Sequence, residues 1–123
     1  MAKVEKFEDL ICWQKARQLT KSIYAATREK SLRTDFGFCS QIQRAAVSIM
    51  SNIAEGFERS RRPEFHQFLS VAKSSCAEVR SHLYVALDAG YLSPAHFQQL
   101  LTDAEEVGRI VGGLRAAVER QRT

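Results

Sequence analysis

Proline and glycine are scarce: two prolines and six glycines in 123 residues. With 45% hydrophobic and 26% charged residues, that scarcity excludes a disordered chain and fits a compact, helical one. Cysteine is sparse as well. Cys12, Cys39 and Cys76 are odd in number, far apart and without a Cys-x-x-Cys pair, which argues against a disulfide framework or a zinc knuckle. Reduced, packed thiols in a cytosolic protein are the expectation. No apolar run approaches the roughly 20 residues needed to cross a bilayer. The segment Met1–Lys6 runs into Glu8-Asp9 without an apolar core, so no signal peptide is expected and the location is expected to be cytoplasmic. Charge of one sign does not dominate either. Eighteen Lys and Arg against fourteen Asp and Glu give +4, which permits a nucleic-acid partner without requiring one.

What is present is helical periodicity. Trp13, Ala16, Thr20, Ile23 and Thr27 mark one side of a first helix from about Leu10 to Arg28. Thr34 or Asp35 supplies the oxygen that caps a second, which fades near Arg59. Ser60 is expected to cap a third, with Pro63 in its first turn, where a missing N–H is harmless. Phe65, Phe68, Leu69, Ala72, Cys76, Val79 and Leu83 form its stripe, and Gly90 closes it. Ser93-Pro94 opens the fourth, whose stripe runs from Phe97 to Val118. Nothing alternates with period two, and no repeat or low-complexity stretch is visible. Four amphipathic helices with short connections predict an all-α, antiparallel up-down-up-down four-helix bundle. It spans residues 1–123 as one domain with short flexible termini.

A bundle can hold a di-iron centre, but that chemistry needs inward carboxylates and Glu-x-x-His pairs. His66, His82 and His96 are scattered and the pair is absent; Glu78 and His82, four apart, read as a surface ion pair. Cys76 falls on an apolar stripe and reads as packing rather than as a thiolate. Ser74-Ser75 have no matched His and acid, and no glycine-rich phosphate loop occurs. Gly108 and Gly112 lie one turn apart inside helix four and are expected to permit close helix approach. The residues therefore predict no enzyme activity, no cofactor, no metal and no small-molecule substrate.

The second helix carries the strongest signal. Phe38, Ile42, Ala45, Ile49, Ile53 and Phe57 form its apolar stripe. Arg44, Ser48, Ser51 and Glu55 lie opposite, flanked by Val47 and Ala54, with Asn52 at the margin. Arg44 and Glu55 are about 16 Å apart along the axis and cannot pair with each other. The short hydroxyls between them leave room for another backbone. Arg44, Ser48, Ser51, Asn52 and Glu55 are thus expected to form a subunit contact, against the alternative of an ordinary solvated face. Positive charge gathers at Arg59, Arg61 and Arg62, on helix one at Lys15, Arg17 and Lys21, and late in the chain at Arg109, Arg115, Arg120 and Arg122. Repeated around an oligomer, such patches become polyvalent for phosphate.

These residues carry a family resemblance. Phe7-Glu8-Asp9-Leu10 with Trp13-Gln14-Lys15-Ala16, then Gln41-Ile42-Gln43-Arg44-Ala45-Ala46-Val47-Ser48-Ile49, Ser51-Asn52-Ile53-Ala54-Glu55-Gly56, Glu64-Phe65 with Phe68-Leu69, and Gly90-Tyr91-Leu92 follow in order from residue 7 to residue 92. In them the chain resembles the 23S rRNA intervening-sequence protein family of small bacterial bundles, also labelled S23-like; helix four matches only in character. The resemblance implies a non-enzymatic, cytosolic bundle assembled as a ring-like homopentamer. It also implies a connection with RNA, since some members are encoded within ribosomal RNA insertions. A related accessory protein of diversity-generating retroelements works with a reverse transcriptase and has a basic surface. The family often has proline where Met50 stands; methionine keeps its amide, so a straighter second helix is expected. Together these readings predict a homo-oligomer, expected to be pentameric, that engages RNA or an RNA-bound protein. Arg59, Arg61 and Arg62, with Lys15 and Arg17, would contact phosphates. The alternative is an accessory subunit that binds protein and no nucleic acid. No membrane partner is expected.

Overall fold

The computed structural model describes residues 3–121. A short 3-10 turn, Phe7–Asp9, leads into α1 (Ile11–Thr27), followed by α2 (Phe36–Glu58), α3 (Arg62–Asp88) and α4 (Pro94–Arg120). No strand occurs among the described residues. Each helix packs against its neighbours in the chain and α4 closes on α1, giving the up-down-up-down bundle; the α2–α3 and α3–α4 seams are the most extensive.

The stripes meet as their spacing demands. Leu19, Ile23, Ile49, Ile53, Leu69, Val79, Leu83, Val107 and Val111 are fully buried. Each contributes about 1.5–3 kcal/mol of transfer free energy when fully withdrawn from water. Phe38 and Phe57, at the ends of the α2 stripe, are only half-buried. Two aromatics plug the first end, where Phe7 meets Trp13 edge-on with ring centroids 5.2 Å apart.

Local chemistry sets the helix ends. The Phe38 amide donates to Asp35 Oδ1 at 3.1 Å, so Asp35 rather than Thr34 caps α2. Ser93 Oγ accepts from the His96 amide at 3.1 Å and Pro94 takes the first helical position of α4. After α3, Gly90 adopts φ +78°, which lets Tyr91 N–H reach the Ala86 carbonyl and Gly90 N–H the Leu87 carbonyl. This paired closure satisfies two otherwise orphaned carbonyls. Ser60 departs from expectation. It sits at φ +60°, its hydroxyl turned back to the Glu58 carbonyl, and Arg61 takes the cap position of α3 with no side-chain hydrogen bond. The connection between α2 and α3 is too short for Ser60 to serve both as the sharp turn and as the cap.

α2 runs unbroken through Met50. The α1–α2 seam is tied by Thr20, whose hydroxyl lies 3.3 Å from the Ala46 carbonyl, and by Gln43 Nε2 donating to Thr27 Oγ1 at 2.9 Å. At the far end, Tyr91 Oη donates to Asp35 Oδ2 at 2.7 Å and Ser31 Oγ to the Tyr91 carbonyl at 3.0 Å. The loop after α3 is thereby latched to the loop before α2. No described helix is long and apolar enough to cross a membrane.

Candidate subunit and nucleic-acid interfaces

The polar side of α2 divides in two. Ser48 turns toward α3, where its hydroxyl lies 2.8 Å from that of buried Ser75. Asn52 Nδ2 donates to the Ser48 carbonyl at 2.8 Å and to Ser48 Oγ at 3.0 Å. With the Ser48 oxygen accepting from Asn52, its own proton is available to Ser75, so the group closes within one chain. Arg44, Ser51 and Glu55 stay exposed. Arg44 borders a shallow hollow with Tyr24, Ser40, Gln43, Val47 and Ser48. Glu55 is exposed to solvent and pairs with Arg59, one turn on, at 3.2 Å. Val47, on this strip, is 38% exposed, and on α3 Val71 and Val85 are 43% and 50% exposed.

One glycine governs how α2 and α3 meet. A Cβ built on Gly56 would fall 2.5 Å from Phe68 Cβ and 3.1 Å from Phe65 Cδ1, closer than packed atoms come. Close approach is thus enforced at Gly56. It is not enforced at Gly108 or Gly112, contrary to expectation. A Cβ at either would meet its nearest neighbours at 3.7 Å, an ordinary contact.

The cations expected to meet phosphate fall in two groups: Arg59, Arg61 and Arg62 at the α2–α3 turn, and Lys15 and Arg17 on the first half of α1, where Lys15 is level with the middle of α4. Most of them already have partners. Lys15 lies 3.5 Å from Glu106, and the Arg17 guanidinium sits over Trp13 at 5.8 Å. Arg59 is shared between Glu55 and Glu64 (3.8 Å) and stacks on Phe68; Arg61 lies 3.8 Å from the same Glu64. Arg62 Nη1 donates to the Gln121 carbonyl at 2.6 Å, closing the end of α4. Arg61 and Arg62 border a cleft of about 710 Å³ floored by Phe57, Phe65 and Leu114. Lys21, Arg109 and Arg120 are exposed; Arg122 lies outside the described residues. Arg115, half-buried, donates from Nε to Ser70 Oγ at 2.7 Å. Lys73 and Arg80, on the same stretch of α3, escaped the sequence reading. Their seven-residue spacing, with Ser70, Ser74 and Ala77 between and beside them, was the signal available.

The thiols are poorly disposed to chemistry. Burial pushes Cys12 and Cys76 up to about 11, and Cys39 is raised by burial and by the charge of Asp35, so all three are protonated at neutral pH. His82 sits 3.4 Å from Glu78, the expected surface pair. Among the described residues no cluster of three or more His, Cys, Asp or Glu side chains is placed to hold a metal ion.

Fold and surfaces together define a small all-α bundle with short residues on the α2–α3 seam and arginines, mostly paired, at the turn between those helices. The chain belongs to the 23S rRNA-intervening sequence protein family, whose model matches residues 8–113. It is similar in fold to a crystal structure from Bacteroides thetaiotaomicron of a protein of unknown function from the S23 ribosomal protein family. The TM-score is 0.78 and the identity 19%, over 85% of this chain and 98% of that one. No curated protein matches in sequence.

Proposed function

We propose that the protein is a non-enzymatic, cytoplasmic homo-oligomer, a pentamer, that scaffolds RNA or an RNA-bound protein through basic surfaces. The observation that carries this reading is the separation of two surfaces on one small bundle. Along α2 runs an exposed strip of Arg44, Val47, Ser51 and Glu55, suited to a second protein surface. Arg59, Arg61 and Arg62 stand at the α2–α3 turn and Arg17 apart from them on α1, and a ring of copies would repeat both groups toward a polyanion. The family's name ties its members to ribosomal RNA insertions and supports RNA as the polyanion.

Such contacts hold phosphate and read no base edges, so affinity depends steeply on salt and little on sequence. An equilibrium titration of labelled single-stranded and hairpin RNA between about 25 and 300 mM salt tests this. Salt-sensitive binding of both RNAs is expected. No binding at the lowest salt defeats the RNA half and leaves the protein-only accessory subunit.

A further inference from the structure

The α3–α4 seam carries a groove of about 370 Å³ bordered by Ser70, Lys73, Ser74, Ala77, Arg80, Gly108 and Arg115. None of these residues is acidic. Among the described residues, no carboxylate stands within ion-pair distance of Lys73, Arg80 or Arg115, whereas Lys15 and Arg61 each have one and Arg59 has two.

The cations are arranged in a row. Arg80 Nη1 lies 3.7 Å from the point a Gly108 Cβ would occupy, and Lys73 Nζ 3.7 Å from the corresponding point on Gly112. Those two points are one helical turn apart, about 5–6 Å. Arg115 follows on the same side of α4, held by Ser70. Three like charges about a turn apart repel one another and are left uncompensated by the fold. They match a polyanion whose charges recur along its length better than a single small anion.

The glycines are a second, independent observation. Glycine inside a helix is less stable than alanine, and packing does not require it here, because a Cβ at Gly108 or Gly112 meets only ordinary contacts. Those contacts include the Arg80 and Lys73 head groups themselves. A methyl group at either position intrudes on the charged row without disturbing the core.

We propose that the α3–α4 groove is a phosphodiester-binding track, in which Lys73, Arg80 and Arg115 hold successive backbone phosphates. Gly108 keeps its floor low and Gly112 makes room for the Lys73 side chain, while Ser70, whose hydroxyl donates to the His66 carbonyl, accepts from Arg115 and holds that guanidinium in the row. The inference rests on the RNA reading above and moves its main phosphate contact from the partnered arginines near the α2–α3 turn to this groove.

The test is an RNA titration over a salt series with the full chain, comparing wild type, a Lys73→Gln/Arg80→Gln/Arg115→Gln triple variant, and Gly112→Ala. In the triple variant, affinity at low salt is expected to fall at least about tenfold and the log–log salt slope to shrink by about 2–3, one unit per lost phosphate. The single variant Lys73→Arg keeps the charge and is expected to leave the slope at its wild-type value. Gly112→Ala is expected to raise the melting midpoint while weakening RNA binding several-fold. A higher midpoint with unchanged affinity overturns the role of Gly112. If wild type binds RNA and the triple variant binds it equally well, the groove assignment fails and the RNA reading stands. If wild type binds no RNA, the RNA reading fails, and an amide-resolved NMR titration with tripolyphosphate decides the groove. Shifts confined to Ser70, Ser74, Gly108 and Gly112 retain it as a phosphate track; no shifts there overturn it.

Discussion

The two seams of α3 use the same residue for opposite ends. Against α2, Gly56 brings Phe68 so close that a single methyl group collides at 2.5 Å, and the polar groups beside it, Ser48, Ser75 and Asn52, bond to one another. Against α4, Gly108 and Gly112 have room for a methyl group, and the polar groups beside them are cations without carboxylates. One seam is closed and satisfied within the chain; the other is open and charged. A mid-helix glycine therefore says little until its neighbour is known. It marks a packing constraint where the facing side chains leave no room for a Cβ, as at Gly56, and none where a Cβ meets only ordinary contacts, as at Gly108 and Gly112.

Substitutions sharpen the contrast, the largest effect first. Gly56→Ala is expected to destabilise by about 2 kcal/mol net. Overpacking near 3 kcal/mol, against a Cβ that cannot swing aside, outweighs the roughly 1 kcal/mol gained in helix propensity. Urea unfolding checks this, and a neutral or stabilised variant erases the distinction between the seams. Ser48→Ala strands the buried Ser75 hydroxyl and is expected to cost about 1–2 kcal/mol, with Ser48→Ala/Ser75→Ala costing less than the sum of the two singles. Strict additivity in the double-mutant cycle means the hydroxyls are not coupled. Gly108→Ala and Gly112→Ala are each expected to stabilise by up to about 1 kcal/mol, the reverse of Gly56→Ala.

The smallest effect lies at the far end, in the Asp35–Tyr91 latch. The hydrogen bond from Tyr91, then that from the Phe38 amide, lowers the Asp35 carboxyl from its ordinary 3.8, and the same bond to Asp35 raises the Tyr91 phenol from 10.0. A lowered acid stabilises above its ordinary value and loses that contribution as pH falls through the folded one. A raised phenol stabilises below its ordinary value and loses the contribution as pH rises through the folded one. The stability difference between wild type and Tyr91→Phe should thus be full between about pH 4 and 10 and decline on both sides. A pH-independent difference assigns the Tyr91 effect to packing alone.

What the sequence disclosed follows how local each cause is. Asp35, Gly90 and Ser93-Pro94 act on backbone within a few residues, and their roles were legible from spacing. Ser60 failed because one residue cannot hold a left-handed turn and cap the helix after it. The short polar face of α2 was visible, but not that Ser48 would spend its hydroxyl on Ser75, 27 residues away. The glycine that packing requires was missed for the same reason: it is Gly56, whose partner Phe68 lies on another helix, rather than Gly108 or Gly112. Lys73 and Arg80 carried only a seven-residue spacing, which gains meaning once α4 lays Gly108 and Gly112 alongside.

On the proposed reading polyvalency would turn a groove of three cations into an RNA scaffold, so assembly bears most of the weight. Light scattering on the size-exclusion peak at micromolar concentration gives the mass directly. The account predicts about 70 kDa, five times the 13.9 kDa of one chain. A single species at 13.9 kDa contradicts it.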